Sequence, residues 1–265
     1  MLKRLLFLLI LTFSLFSSAI PSNEVLLEIF NALEVPLQDT SLKGLADAAQ
    51  ENWRQSGERW DFEERYNGKE IVPLLKKTGC FETKYAKDNH YKYGLVLGAT
   101  LPSVRKRIDF LIKEWNRGVR FEKIVFLTGQ RPLNEKLESS KEFLHGTLPK
   151  NETEVMLFVW NEVDLPKELK ALPLEVIDAP PIPPLERPTT QSTIEAFLKT
   201  QPTEGKCLAF SNQPYIGPQH ATLKHFLPRS LPIETVGPLG GESLPASILL
   251  DNLARWLYWA CRETK

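Results

Sequence analysis

From Tyr91 onward, short apolar runs alternate with single segments of helical period, and that rhythm restricts the possible folds more than any other feature of the chain. Tyr93–Leu97 is an apolar run that ends at Gly98, and Lys123–Leu127 is another, ending at Thr128-Gly129. Leu174–Ile177, Lys206–Phe210 and Ile233–Val236 repeat the pattern. Runs this short, bounded by turn residues, read as buried strands. Between the first two, Val104, Ile108, Leu111, Ile112 and Trp115 share one helix face, and Asn116-Arg117-Gly118 ends the segment. Asn151 to Val163 reads as a helix with Asn151 as its cap and Glu154 three residues on. Ser192 to Leu198 is the next, with Ser192 and Glu195 at capping-box spacing, followed by about Gln219 to Phe226. The last helix, from about Pro245 to Cys261, puts Leu249, Leu253, Trp256, Leu257 and Ala260 on one face. Residues 131–149 read as a polar loop, and the proline-rich stretch Ala179–Pro184 must be extended. Strands alternating with single helices predict an α/β fold: a Rossmann-like three-layer sandwich around a mainly parallel sheet. Its crossovers are right-handed.

Residues 20–90 precede this rhythm and read as a helical lead-in packed on the main domain. Val25, Leu26, Ile29, Phe30 and Leu33 have helical spacing, as do Leu42, Leu45, Ala46, Ala49 and Trp53. Glu70 to Lys77 reads as a third, shorter helix. Residues 1–19 have the layout of an export signal. Lys3 and Arg4 form a positive start, Leu5–Phe16 an apolar run, and Ser17-Ser18-Ala19 a small-residue cut site. About 20 apolar residues are needed to cross a bilayer, and this run is shorter. Export to the periplasm or outside the cell is therefore expected, the alternative being an uncut signal that tethers the domain to the inner membrane. The domain that follows, 91–265, would carry the function.

Composition narrows the function classes. The chain has 33 basic and 33 acidic residues. A nucleic-acid binder shows a basic surplus or stripe, so no nucleic-acid partner is expected. Arg105-Lys106-Arg107 reads as a solvated helix face, and Arg131 as a surface residue. Cys80, Cys207 and Cys261 are far apart without a CxxC pair, so no metal site is expected. One disulfide is open to an exported chain. Signatures such as GxSxG, the P-loop, HExxH and GxGxxG are absent from the sequence. His90, His145, His220 and His225 lack metal spacing and read as core or surface residues. Asn151-Glu152-Thr153 matches a glycosylation sequon, a pattern common by chance.

In open α/β sheets, ligands bind beyond the carboxyl ends of the strands. The candidates are therefore Gly98 and Thr100 after the first strand, Gly129 and Gln130 after the second, and Ser211 after the fourth. Thr190 precedes the helix after the third strand. Glycine lets a backbone approach a ligand, and free N–H groups at a helix start favour an anion. Each also has an ordinary role in view: strand-ending turns for the glycines, and helix caps for Thr190, Ser192 and Asn151.

YGLVLGAT at 93–100, the helix with Arg107, VFLTGQ at 125–130, ETEVM at 152–156, Thr189-Thr190 and SNQPY at 211–215 come in an order and spacing that resembles the YdcF/SanA/ElyC family of bacterial envelope proteins. The resemblance covers roughly residues 90–260. It implies a Rossmann-like fold, an envelope setting linked to barrier function or cell-wall precursors, and, in one member, binding of S-adenosylmethionine. No shared reaction comes with it. The positions matching the family's pocket are Gly98, Arg107, Gly129, Gln130, Glu152 and Thr190. Three positions depart from the pattern. Thr193 stands where the family has Asn, Ile216 where it has His, and Gln219-His220 where it has Arg.

Two readings follow. In the first, the chain binds a small polar, phosphate-bearing or nucleotide-like ligand at the strand ends, with Arg107 neutralising charge and Glu152 orienting a polar group or acting as a base. In the second, it is a degenerate scaffold that keeps the fold without chemistry. The cofactor and any turnover stay open.

Overall fold

The computed structural model describes residues 20–134, 138, 149–183 and 187–262. The export-signal reading and His145 lie outside them, as do parts of the polar loop and of the proline-rich connection.

Five parallel strands form one sheet: β1 (His90–Leu97), β2 (Arg120–Gly129), β3 (Leu174–Ala179), β4 (Cys207–Phe210) and β5 (Ile233–Val236), in the order β3-β2-β1-β4-β5. Both faces are covered. On one face Val96, Phe126, Leu208 and Phe210 meet α4 (Leu101–Asn116) and α5 (Glu152–Glu162) in one core cluster. On the other, Leu95, Leu97, Val125, Leu127 and Ala209 meet α7 (Thr190–Lys199) and α8 (Ile216–Phe226). The alternation follows from the two-residue period of a strand. This is the three-layer α/β arrangement that the rhythm predicts. A four-residue helix, α6 (Lys167–Lys170), precedes β3.

The helices start where capping side chains can take a first-turn N–H. Ser22 caps α1 (Asn23–Ala32), Ser41 caps α2 (Leu42–Trp53), Asn67 caps α3 (Gly68–Lys76), Asn151 caps α5 and Thr189 caps α7. The capping box of α7 pairs Thr189 with Ser192, so the expected Ser192–Glu195 box is displaced by three residues. Thr190 is the first helical residue and not the cap.

The lead-in docks on α9 (Ala246–Ala260). Leu26, Ile29, Phe30, Leu45, Ala49 and Trp53 share a core cluster with Leu249, Leu250, Leu253 and Leu257. Ala221 of α8 joins it, so α8 is buried against the sheet on one side and against α9 on the other. After α3, Lys84 and Gly237 form a single antiparallel bridge beside the end of β5. Cys80, Cys207 and Cys261 are free thiols. Among the described residues no helix is long and apolar enough to cross a membrane.

Phe30 and Trp53 stack with ring centroids 4.3 Å apart, and both are almost wholly buried. Replacing a buried Trp by Ala costs about 3–5 kcal/mol. Trp53→Ala is expected to lose stability on that scale in urea unfolding, with one transition for the lead-in and the sheet, because α8 packs on the sheet with one side and on α9 with the other. Two separated transitions would show that the lead-in folds apart.

Candidate functional site

The strand order reverses between β1 and β4, the place where an open α/β sheet leaves a crevice. Arg107 fills the base of it. Its stripe on α4 is that of Val104, Ile108 and Leu111, so the helix turns it inward, and it is 2% exposed. Nη1 donates to Leu97 O at 2.7 Å and Gly98 O at 2.8 Å, and Nε donates to Asn212 Oδ1 at 2.9 Å. Burial pushes its pKa down to about 10, with Arg59 adding repulsion and Glu152 and Tyr215 opposing. The expectation of a solvated face at 105–107 is corrected here: a buried guanidinium holds the end of β1 to the loop after β4.

The ends of β1 and β2 carry a second polar network. Glu152, buried at the start of α5, accepts from Thr128 Oγ1 at 3.1 Å and from Arg131 Nε at 3.2 Å. Arg131, 7% exposed and not a surface residue, also grips both oxygens of Glu138 at 2.9 Å. Glu138 in turn accepts from the Leu101 N–H at the start of α4 (2.9 Å) and from the Asn134 N–H (2.8 Å). The free helix start expected to favour an anion already holds this carboxylate. Burial raises the pKa of Glu152 above the usual carboxylate range against the pull of Arg131, Thr128 and Arg107. Burial likewise pulls Arg131 down, but Glu138 and Glu152 outweigh it, and its pKa lies above the ordinary value.

The glycines are explained by protein and not by ligand. A Cβ on Gly98 would come within 2.1 Å of Glu152 Oε1, and one on Gly129 within 2.4 Å of Ala179 O and 2.5 Å of Pro188 Cγ. Gln130 is exposed and donates to Asp178 Oδ2 at 3.0 Å, away from Arg107. Thr100 holds the cap position of α4 without a side-chain capping bond. The Thr190 carbonyl accepts from Thr193 Oγ1 at 2.9 Å. Ser211 is fully buried and donates to Gln219 Oε1. Of the expected set, Gly98, Arg107, Glu152 and Ser211 therefore gather round the crevice, while Gln130 does not. His220 does not take the place of a missing cation. Its Nδ1 meets Thr235 Oγ1 at 3.1 Å, and its pKa is pushed down to about 4 by burial, then by Lys224 and Lys87.

A group that the sequence reading missed lies beyond Asn212. The Arg59 guanidinium sits 4.8 Å from the centre of the Tyr215 ring. Its Nη2 donates to Asn252 Oδ1 at 2.9 Å. Its Nε is buried without a hydrogen bond, 3.8 Å from Asp251 Oδ2. Arg54 and Arg255 each reach the same fully buried Asp251 carboxylate at 2.7 Å. Three arginines thus share one carboxylate. Arg187, paired with Glu58 at 2.6 Å, is close enough to repel Arg59. Removal from water and then repulsion from Arg187 and Arg54 lower the Arg59 pKa, against Tyr215 and Asp251. Burial is also the main force pushing Arg255 down to about 10, despite Asp251. Arg59 and Arg187 keep 33% and 28% of their side-chain surface open, so both can meet a solute. The signal in the sequence was Asp251-Asn252, two polar residues inside the apolar stripe of the last helix. Comparison with family models, curated proteins and solved structures returns no match to this chain.

Two outcomes follow from these contacts. Removing a buried charged donor from three acceptors costs about 3 kcal/mol or more. Arg107→Ala is therefore expected to lower the unfolding free energy by that much in urea titration, and an unchanged midpoint would count against the clamp. Neutral His220 takes up its proton at lower pH in the folded state than in the unfolded chain. Its contribution is therefore intact above pH about 6.5 and is lost as pH falls toward 4, by roughly 2 kcal/mol after allowance for its partial exposure. His220→Gln should flatten the stability profile across that window.

Proposed function

We propose that this chain binds a small anionic, phosphate-bearing ligand at the carboxyl ends of β1 and β4, with Arg59 and Arg187 as its cationic contacts and the Tyr215 ring beneath. The observation that carries the reading is the shared carboxylate. Asp251 serves three arginines, and one of them keeps a buried Nε with no hydrogen bond. Buried unpaired donors are costly, which leaves the Arg59 charge poorly compensated, and an anion at the open part of its guanidinium relieves the mutual repulsion of the arginines. Guanidinium groups match phosphate oxygens in pairs. The reading keeps the ligand class expected from the sequence and moves its contacts from Gly129, Gln130 and Thr190 to the arginines. Duplex or single-stranded nucleic acid is not part of it, because the chain has no basic surplus.

The setting we infer is the bacterial envelope. The layout of residues 1–19 supports export, and the ordered motifs from Tyr93 to Tyr215 support the YdcF/SanA/ElyC resemblance. A cell-wall precursor or lipid-linked phosphate suits that setting better than a cytosolic nucleotide, and it brings the domain near a membrane. The scaffold reading rests on a different observation. Arg107, Glu152 and Ser211, which a catalytic pocket would leave available, all give their bonds to protein groups.

A thermal-shift series with inorganic phosphate, a nucleotide, S-adenosylmethionine and a polyprenyl phosphate separates the two. A ligand at 100 times its Kd adds about 2.7 kcal/mol, a rise of roughly 5–10 °C in Tm. Arg59→Gln is expected to weaken the response about tenfold or more, the effect of losing one charge-assisted contact. No shift with any of the four compounds would leave the scaffold reading standing.

A further inference from the structure

Away from the arginines, an open hollow of about 160 Å³ lies along β5, between that strand and the segment that leads into β1. It is far larger than the space one water requires and smaller than the 300–1,000 Å³ typical of drug-sized pockets. A ligand of a few heavy atoms fits; a nucleotide does not. Its lining carries charge of both signs: Lys84 and Lys87 with Glu82 and Glu234, beside Tyr85 and Thr235. A simple anion or a simple cation would meet as many like charges as opposite ones.

The acidic wall is held in place from the sheet. Glu234, in β5, accepts the Tyr91 hydroxyl through Oε2 and the Lys87 N–H at 3.2 and 3.4 Å. The Tyr91 hydroxyl also accepts the Asp88 N–H at 3.1 Å, so the residues entering β1 fix the orientation of that carboxylate. Thr235 is braced from behind by His220. The basic wall is anchored by the backbone bridge, in which Lys84 N donates to Gly237 O and Gly237 N to Lys84 O, both at 3.0 Å. Lys84, largely covered, pairs with the exposed Glu82 at 3.6 Å. Pairs at an exposed carboxylate are weak, so Glu82 can turn to a ligand at little cost.

We propose that this hollow binds a small zwitterion of the α-amino-acid class, its carboxylate facing Lys84 and Lys87 and its ammonium facing Glu234 and Glu82. The site is distinct from the arginine group and does not depend on it. Calorimetric titration of the full chain with glycine, L-alanine and D-alanine tests it, with acetate and ethylamine as probes carrying one charge each. The amino acids are expected to bind, and the two singly charged probes to bind about tenfold more weakly or worse. Lys87 is exposed, so Lys87→Gln keeps the fold and should weaken amino-acid binding by about tenfold. Glu234→Gln should do the same, with its folding checked by circular dichroism. No heat from any of the three amino acids up to about 10 mM, equal binding of acetate or ethylamine, or indifference to Lys87→Gln would each overturn the proposal.

Discussion

A single buried guanidinium organises this molecule. The strand order reverses between β1 and β4, and neighbouring strands there send their chains to opposite faces. The ends of two such strands leave carbonyls with no ladder partner, and an unpaired buried carbonyl is costly. Arg107 answers that need from α4. It takes the carbonyls of Leu97 and Gly98 and the side chain of Asn212 together, which ties the first helix after β1 to the loop after β4. Only arginine presents several donors in a fixed planar fork.

The surrounding charges are arranged around that anchor in two groups of opposite character. Over the ends of β1 and β2, Glu138 and Glu152 satisfy Arg131, and Glu138 also occupies the start of α4. This side is electrically closed: its anion seat is filled by the chain. Over β4 the balance is different. Arg54, Arg59 and Arg255 converge on Asp251, and Arg187 stands close by. The lead-in makes this asymmetry, because it delivers Arg54 and Arg59 to a helix that already pairs its own Arg255 with Asp251. Docking of α1 and α2 on α9 is therefore both a packing event and the step that charges the crevice.

Much of the fold was legible in the chain. Every strand read from apolar runs is a strand, and Ile233–Val236 matches to the residue. The parallel, doubly covered sheet follows from single helices between strands. Local signals were less reliable where two residues compete for one role: Thr189, not Ser192, caps α7, because a cap is chosen by the backbone angles at the turn as well as by residue type. The candidate site was legible in part. Gly98, Arg107, Glu152 and Ser211 do converge, because strand ends in this topology must. Their roles were not legible. A glycine that makes room for Glu152 and a glycine that makes room for a ligand look alike in sequence.

What the sequence determined by itself is therefore periodic: strands, helices and the layer order, all of which follow from residue spacing along one element. What only the tertiary structure decided is pairing between elements far apart in the chain. Arg59 and Asp251 lie in segments with no local relation, and nothing in either stretch says that they meet. The same holds for Arg131 with Glu138 and Glu152, and for the hollow where Lys84 and Lys87 come to face Glu234. Charge attraction acts across whatever distance the packing leaves, so the balance of a site is known only once the core has set which surfaces touch.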